Sequence, residues 1–318
     1  MASSQKIGFL FPGQGAQHVG MGKDLYDTFP AAKNIFDRAD NLLGFSVKKL
    51  CFEGPEDELT RTRGAQPAIF VHSLAMLAVL DEKHPDLKPA FVAGLSLGEF
   101  TALVAGKALS FDDGLKLVQK RAEAMEQAAQ NHPGTMASIL GLNQAQCEEI
   151  AAEAGCQVAN LNAPDQIVLS GTEPAIDKAC AAAEAKGAKR AIKLKVGGAF
   201  HSALMKEAQD ELRNALSETS VTSPECLFIP NVTAQAVSDP DEIKSLLSRQ
   251  LTSPVRWVET MARASETGIG QFIEVGPGKV LKGLAKRSQR DLKIVPCSGP
   301  SDLAEIERLL QKTEIQGI

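Results

Sequence analysis

Short apolar runs alternate along this chain with longer stretches whose apolar residues recur every three or four positions. Ile7-Gly8-Phe9-Leu10-Phe11 predicts a first strand, stopped by Pro12-Gly13, and strand and helix patterns then alternate to about Gln130. The last helix of that series, from about Asp112 to Gln130, aligns Leu115, Val118, Ala122, Met125 and Ala129 on one stripe, with Arg121 at its edge. Asn131-His132-Pro133-Gly134 breaks the pattern, and the rhythm changes. Met136 to Leu142 predicts a strand. Asn143 with Gln146 three residues on predicts a capping box for a helix ending at Gly155. Cys156 to Asn162 and Gln166 to Ser170 follow as strands, then an Ala-rich helix opened by Pro174 and closed by Gly187, then a strand from Lys189 to Val196. Beyond Gly197-Gly198 the first rhythm resumes: a helix from about Pro254, a strand Gln271 to Val275, a Gly276-Pro277-Gly278 turn, a helix, a strand Leu292 to Val295 and a last helix.

Strands alternating with helices imply a mostly parallel sheet, whereas β-α-β-β-α-β is the order of a ferredoxin-like unit. The expected fold is therefore α/β. A large α/β-hydrolase-like domain with a mostly parallel sheet is formed by residues 1–132 and 197–318, and a small ferredoxin-like domain, residues 133–196, is inserted into it.

Composition narrows the function classes. A chain of 318 residues with 44% hydrophobic content can bury a large core. A net charge of -5 supplies no global field for nucleic acid or an anionic membrane surface. No stretch approaches the roughly 20 apolar residues expected of a bilayer span. The six cysteines lack C-x-x-C spacing, which predicts reduced, mostly buried thiols in a cytoplasmic protein and no metal site. Gly13-Gln14-Gly15 is not a dinucleotide fingerprint, because His18 stands at the third glycine position, so the loop is read as a source of backbone N–H donors. No cofactor is expected. Nothing calls for an oligomer either, so a monomer is expected.

Gly94-Leu95-Ser96-Leu97-Gly98 follows the apolar run Ala90 to Ala93 and precedes a helical pattern. Strand, tight turn and helix together predict a nucleophile elbow with Ser96 at its tip. A serine hydroxyl needs a base, most often histidine. His84 and His132 lie in polar turns, His72 suits a helix flank, and His18 sits beyond the glycine loop. His201 stands where the insertion returns to the large unit, the kind of crevice where substrates bind, and is the favoured base against a buried structural histidine. Arg121, at the border of an apolar stripe, must find an anion, either a protein carboxylate or one on a substrate.

Taken together, these residues resemble the malonyl-CoA:acyl carrier protein transacylases and the related acyltransferase domains of polyketide synthases. The resemblance runs through Phe11-Pro12-Gly13-Gln14-Gly15, Gln66-Pro67-Ala68, Gly94-Leu95-Ser96-Leu97-Gly98-Glu99, Arg121, Asn160-Leu161-Asn162, Gly198-Ala199-Phe200-His201, Arg249-Gln250-Leu251, Pro254-Val255-Arg256-Trp257 and Glu274-Val275-Gly276-Pro277-Gly278. It implies Ser96 as nucleophile, His201 as base, and the backbone N–H groups of Gln14 and Leu97 as the oxyanion hole. Arg121 would clamp the malonyl carboxylate, and the backbone carbonyl of Gln250 would orient His201. Phe200 would crowd out branched acyl groups, with Asn160 and Asn162 also binding substrate. One position departs: Leu95 stands where the family usually has histidine. The implied reaction moves malonyl from malonyl-CoA, a coenzyme A thioester substrate, to the phosphopantetheine thiol of a holo acyl carrier protein. Such a carrier is acidic. Lys189, Arg190, Lys193 and Lys195, or Lys279, Lys282, Lys286 and Arg287, could dock it, or form ordinary solvated faces. A polyketide-serving acyltransferase, a serine thioesterase and a non-catalytic carrier-binding module are the alternatives.

Overall fold

The computed structural model describes residues 6–315. Five strands form one parallel sheet: β1 (Ile7–Phe11), β2 (Phe91–Gly94), β7 (Leu227–Phe228), β8 (Gln271–Val275) and β9 (Lys293–Cys297). Their order is β7-β2-β1-β8-β9, and every pairing is parallel. Successive side chains point to opposite faces of a strand. Phe9 and Phe11 accordingly enter one core while Leu10 enters another, so helices cover the sheet on both sides.

On the first face lies a helix, Thr62–Lys83, buried nearly all round and packed against the helices Phe111–Asn131 and Pro30–Leu43. This element corrects one expectation. It is 22 residues long and contains an 18-residue stretch of mean hydropathy 1.3, long and apolar enough by composition to cross a membrane, yet 89% of that stretch is buried inside the molecule. A helix sealed by neighbours on every side carries the same composition as a membrane span.

A second, four-stranded sheet consists of β3 (Thr135–Leu140), β4 (Gln157–Ala163), β5 (Gln166–Gly171) and β6 (Arg190–Lys193), in the antiparallel order β4-β5-β3-β6. Two helices, Gln144–Ala154 and Glu173–Ala185, close a separate core against it. The first carries the anticipated capping box, with Asn143 and Gln146 each satisfying the other's backbone.

Two predicted elements are shorter in the structure. The strand expected from Lys189 to Val196 spans only Arg190–Lys193. Leu194 adds one further bond to Met136 O, after which the chain leaves the sheet to line a cavity. The helix expected near Pro254 starts at Trp257. Val255 is occupied elsewhere: its N–H donates to Ala159 O at 2.8 Å and its carbonyl accepts from Leu161 N–H at 2.9 Å. These two bonds tie β4 to the large-sheet unit beside Asn160, and that junction borders the site.

Candidate active site

The carboxyl ends of β1 and β2 are adjacent, and the loops leaving them touch. Open α/β sheets bind ligands beyond such ends. At the elbow the backbone closes so tightly that a Cβ on Gly94 would lie 1.9 Å from the carbonyl carbon of Gly98, and one on Gly98 would lie 2.2 Å from Phe11 O. Only glycine fits at either position. Ser96 sits between them with φ 52°, and the helix Gly98–Ala105 starts directly behind it. The glycine loop after β1 presses on the same turn, since a Cβ on Gly13 would be 2.5 Å from Leu95 O. Among the described residues no protein acceptor takes the N–H of Gln14 or of Leu97.

His201 approaches from the opposite wall. Its Nε2 lies 2.8 Å from Ser96 Oγ, and its Nδ1 lies 2.9 Å from the main-chain oxygen of Gln250. A carbonyl can only accept, so Nδ1 carries the proton and Nε2 is free to accept the serine hydrogen. Burial, and then the charge of Arg121, push His201 down to about 4, keeping the imidazole neutral at ordinary pH. Like Ser96, His201 has a left-handed backbone, φ 57°.

Arg121 is almost fully buried, beyond the stripe-edge position that periodicity assigns it. Its Nη1 donates to Gln66 Oε1 at 2.7 Å, and its Nη2 donates to Gln250 Oε1 at 2.8 Å and to Ser96 Oγ at 2.9 Å. The guanidinium stacks 5.6 Å from the Phe100 ring centroid, and its Nε has no partner. Burial lowers its pKa to about 10, so it stays cationic. None of the ion pairs among the described residues involves it. The buried Glu99 acts on its charge without touching it.

These groups share a cavity of about 340 Å³ lined by Gln14, Leu95, Ser96, Leu97, Arg121, Asn160, Asn162, Phe200 and His201, among others. A hydroxyl beside a neutral imidazole, two free amide donors and a buried cation is an arrangement for attacking a carbonyl on an anionic acyl group.

A sequence model of the family described as "Acyl transferase domain" matches residues 8–304. The chain belongs to this acyltransferase family. It is 45% identical over 303 residues to the malonyl CoA-acyl carrier protein transacylase of Bacillus subtilis, covering 94% of this chain and 95% of that one. The crystal structure of an acyl-carrier-protein S-malonyltransferase from Burkholderia pseudomallei superposes with a TM-score of 0.91 at 41% identity, covering 95% of this chain and 99% of that one. A malonyl-transacylase solved in complex with its type II PKS acyl-carrier protein gives a TM-score of 0.91 at 36% identity, over 94% and 98% of the respective chains.

Each residue to which the acyltransferase resemblance gives a catalytic or acyl-binding role lies at this cavity, or in the case of Gln250 holds groups that do. Gln250 does so twice, through its main-chain oxygen on His201 and its side-chain oxygen on Arg121. Asn160 and Asn162 reach the cavity from β4, and Asn162 Oδ1 is buried without a partner. Leu95, in place of the usual histidine, lines the cavity and packs against the core on the second face of the large sheet. Of the rejected histidines, His72 is a core residue, pushed by burial to about 3.

Three residues escaped the sequence reading as functional. Gln66, inside a quoted motif, positions Arg121. Glu99, inside another, is completely buried beneath the elbow; burial pushes its carboxyl up, and the hydrogen bonds from Asn231 N–H and Gln250, with the charge of Arg121, pull it back towards the carboxylate. Asn231 accepts from Ser96 N–H at 2.7 Å. It lies in an irregular segment with no recognisable pattern. The signal for Glu99 was there: an acid within a helix apolar on every face must be buried with partners.

Proposed function

We propose that this chain transfers a malonyl group from malonyl-CoA to the phosphopantetheine thiol of a holo acyl carrier protein, through a malonyl ester on Ser96. The observation that carries this reading is the convergence of His201 Nε2 and Arg121 Nη2 on one serine oxygen, at 2.8 and 2.9 Å. His201 takes the hydroxyl proton as Ser96 attacks the thioester carbonyl. The N–H groups of Gln14 and Leu97 then hold the oxyanion, and coenzyme A leaves with the proton from His201. The carrier thiol reverses the sequence. The main-chain oxygen of Gln250 keeps His201 in the reactive tautomer throughout.

Arg121 holds the free malonyl carboxylate, Phe200 crowds substituents on the acyl carbon, and Asn160 and Asn162 bind the substrate nearby. Water as final acceptor is disfavoured by this site. A thioesterase has no need of a buried arginine for its acyl group, and among the described residues no carboxylate contacts the histidine. Arg190 on the small sheet and Lys189 and Lys195 flanking its edge strand, with Lys279, Lys282 and Lys286 after the Gly-Pro-Gly turn, offer the basic rim for an acidic carrier. Lys193 and Arg287 are already paired, with Asp177 and Asp165.

We read the fold in the same terms, with a hydrolase-like unit of residues 1–132 and 197–318 and a ferredoxin-like insertion of 133–196. The tight elbow and the strand order β4-β5-β3-β6 support this division. The protein is expected to work in the cytoplasm. Incubation with malonyl-CoA and holo-carrier tests the function: carrier gaining the mass of malonyl is expected, and free malonate as the main product would replace this reading with hydrolysis.

A further inference from the structure

Two features of the site have no role in the chemistry above. One is the buried carboxyl of Glu99, and the other is the side chain of Asn231. Both are fully buried, as is Gln250. Asn231 spans the elbow: its Oδ1 accepts from Ser96 N–H at 2.7 Å and its Nδ2 donates to Gly94 O at 2.8 Å. Its own main-chain N–H donates to Glu99 Oε1. The other oxygen, Glu99 Oε2, accepts from Gln250 Nε2, which also donates to Ser96 O at 2.9 Å. One carboxyl group therefore joins the segment that holds the Ser96 N–H to the side chain that holds the Ser96 carbonyl. That same Gln250 carries His201 on its main chain and Arg121 on its Oε1.

Ser96 and His201 both occupy a backbone region that side chains disfavour, and such residues persist only where their surroundings hold them. Resting on the Ser96–His201 reading, we propose that Asn231 and Glu99 are positioning residues. Asn231 clamps the peptide groups of the elbow, and Glu99, acting through Gln250, fixes the nucleophile relative to its base and to Arg121. Hydrolase triads place an acid directly on the histidine. Here the acid stands one residue further back and sets the orientation of the amide that links all three groups.

The polarity of the network gives the test. Asn231 N–H and Gln250 Nε2 both donate to Glu99, so the geometry holds it as a carboxylate with two accepting oxygens against the upward pull of burial, whereas glutamine of the same size offers one acceptor and one NH₂ group. In Glu99→Gln that NH₂ must face either the Asn231 N–H or the Gln250 NH₂. Turning the Gln250 amide to relieve the conflict removes the acceptor from Arg121 and the donor from Ser96 O. Glu99→Asp is smaller but keeps two acceptors. A role in packing alone ranks Gln above Asp, and positioning through acceptance ranks Asp above Gln.

The experiment measures kcat, KM for malonyl-CoA and single-turnover acylation of Ser96 in the full-length Glu99→Gln, Glu99→Asp and Asn231→Ala proteins, each checked for folding by thermal melting. Glu99→Gln and Asn231→Ala are expected to lose about 10- to 100-fold in kcat and in acylation rate, the worth of a charge-assisted or buried hydrogen bond, with KM changed less than about threefold. Glu99→Asp should retain more kcat than Glu99→Gln. Wild-type kcat in folded Glu99→Gln, or Gln outperforming Asp, overturns the proposal. Should Glu99→Gln fail to fold, Asn231→Ala decides by the same split between kcat and KM. A wild-type enzyme that never acquires a malonyl ester on Ser96 would instead refute the underlying dyad.

Discussion

The serine oxygen is contested by two neighbours of opposite character. A neutral imidazole takes its hydrogen, and a guanidinium donates to its lone pair. Arg121 keeps its charge despite burial and has an unpartnered Nε, so it is poised for a carboxylate supplied from outside. Replacing it by alanine should lower kcat/KM for malonyl-CoA by about 10- to 100-fold, the worth of one charge-assisted bond, while neutral acyl-CoA transfer is kept or improved. Competition kinetics with malonyl- and acetyl-CoA read that ratio; equal losses for both would remove the clamp. The protonation of His201 gives a second expectation. Its pKa lies near 4, below the ordinary 6.5, so acylation should stay flat as pH falls through 6.5 and decline only towards pH 4. Stability runs differently. Histidines held below their unfolded pKa, here His201 and His72, contribute stability that is present above about pH 6.5 and is lost progressively as pH falls towards 4 and 3. Rapid pH-jump acylation separates the two, and an inflection near 6.5 in that rate would contradict the buried neutral base.

At the scale of elements, the elbow is where sequence and structure agree most closely. Gly94 and Gly98 were legible because the constraint is local: a strand must turn into a helix within three residues, and the backbone atoms that forbid a Cβ lie on the turn itself or on the adjoining β1. Gly98→Ala drives a Cβ into Phe11 O and should destabilise the fold by at least the roughly 1–3 kcal/mol of an overpacked core. It should also displace Ser96. Denaturant unfolding paired with acylation kinetics checks this, and unchanged values for both would mean that the turn is looser than its geometry. Arg121 was harder to place, because periodicity puts it at the border of a stripe whereas helices on other sides bury it. Asn231 was illegible. Its role depends on a loop returning under the elbow 135 residues later in the chain, and no short-range pattern encodes that. The end of β6 and the start of the helix at Trp257 were misjudged for a related reason. Both segments trade regular hydrogen bonds for the wall of the cavity and the junction at Val255.

Over the whole molecule, the candidate active site belongs to neither sheet alone. Ser96 and Gln14 come from the ends of β2 and β1. His201 follows the return from the antiparallel sheet, Asn160 reaches in from β4, and Gln250 lies on a short turn between helices. Alternation of strands and helices made the two sheets readable, since each buries apolar faces at its own period. Their mutual placement was not readable, because it rests on a few contacts such as Val255 with β4. The family match places the chain among acyltransferases, and a cavity that joins a serine, a neutral imidazole and a buried cation is consistent with the charged acyl group proposed as its substrate. The central claim is that Ser96 carries that group between donor and carrier. Intact-protein and peptide mass spectrometry after brief exposure to malonyl-CoA tests it most directly. A single malonyl adduct on the peptide containing Ser96, absent from Ser96→Ala and discharged by holo-carrier, is the expected result. An adduct that survives in Ser96→Ala, or one that the carrier cannot remove, would contradict it.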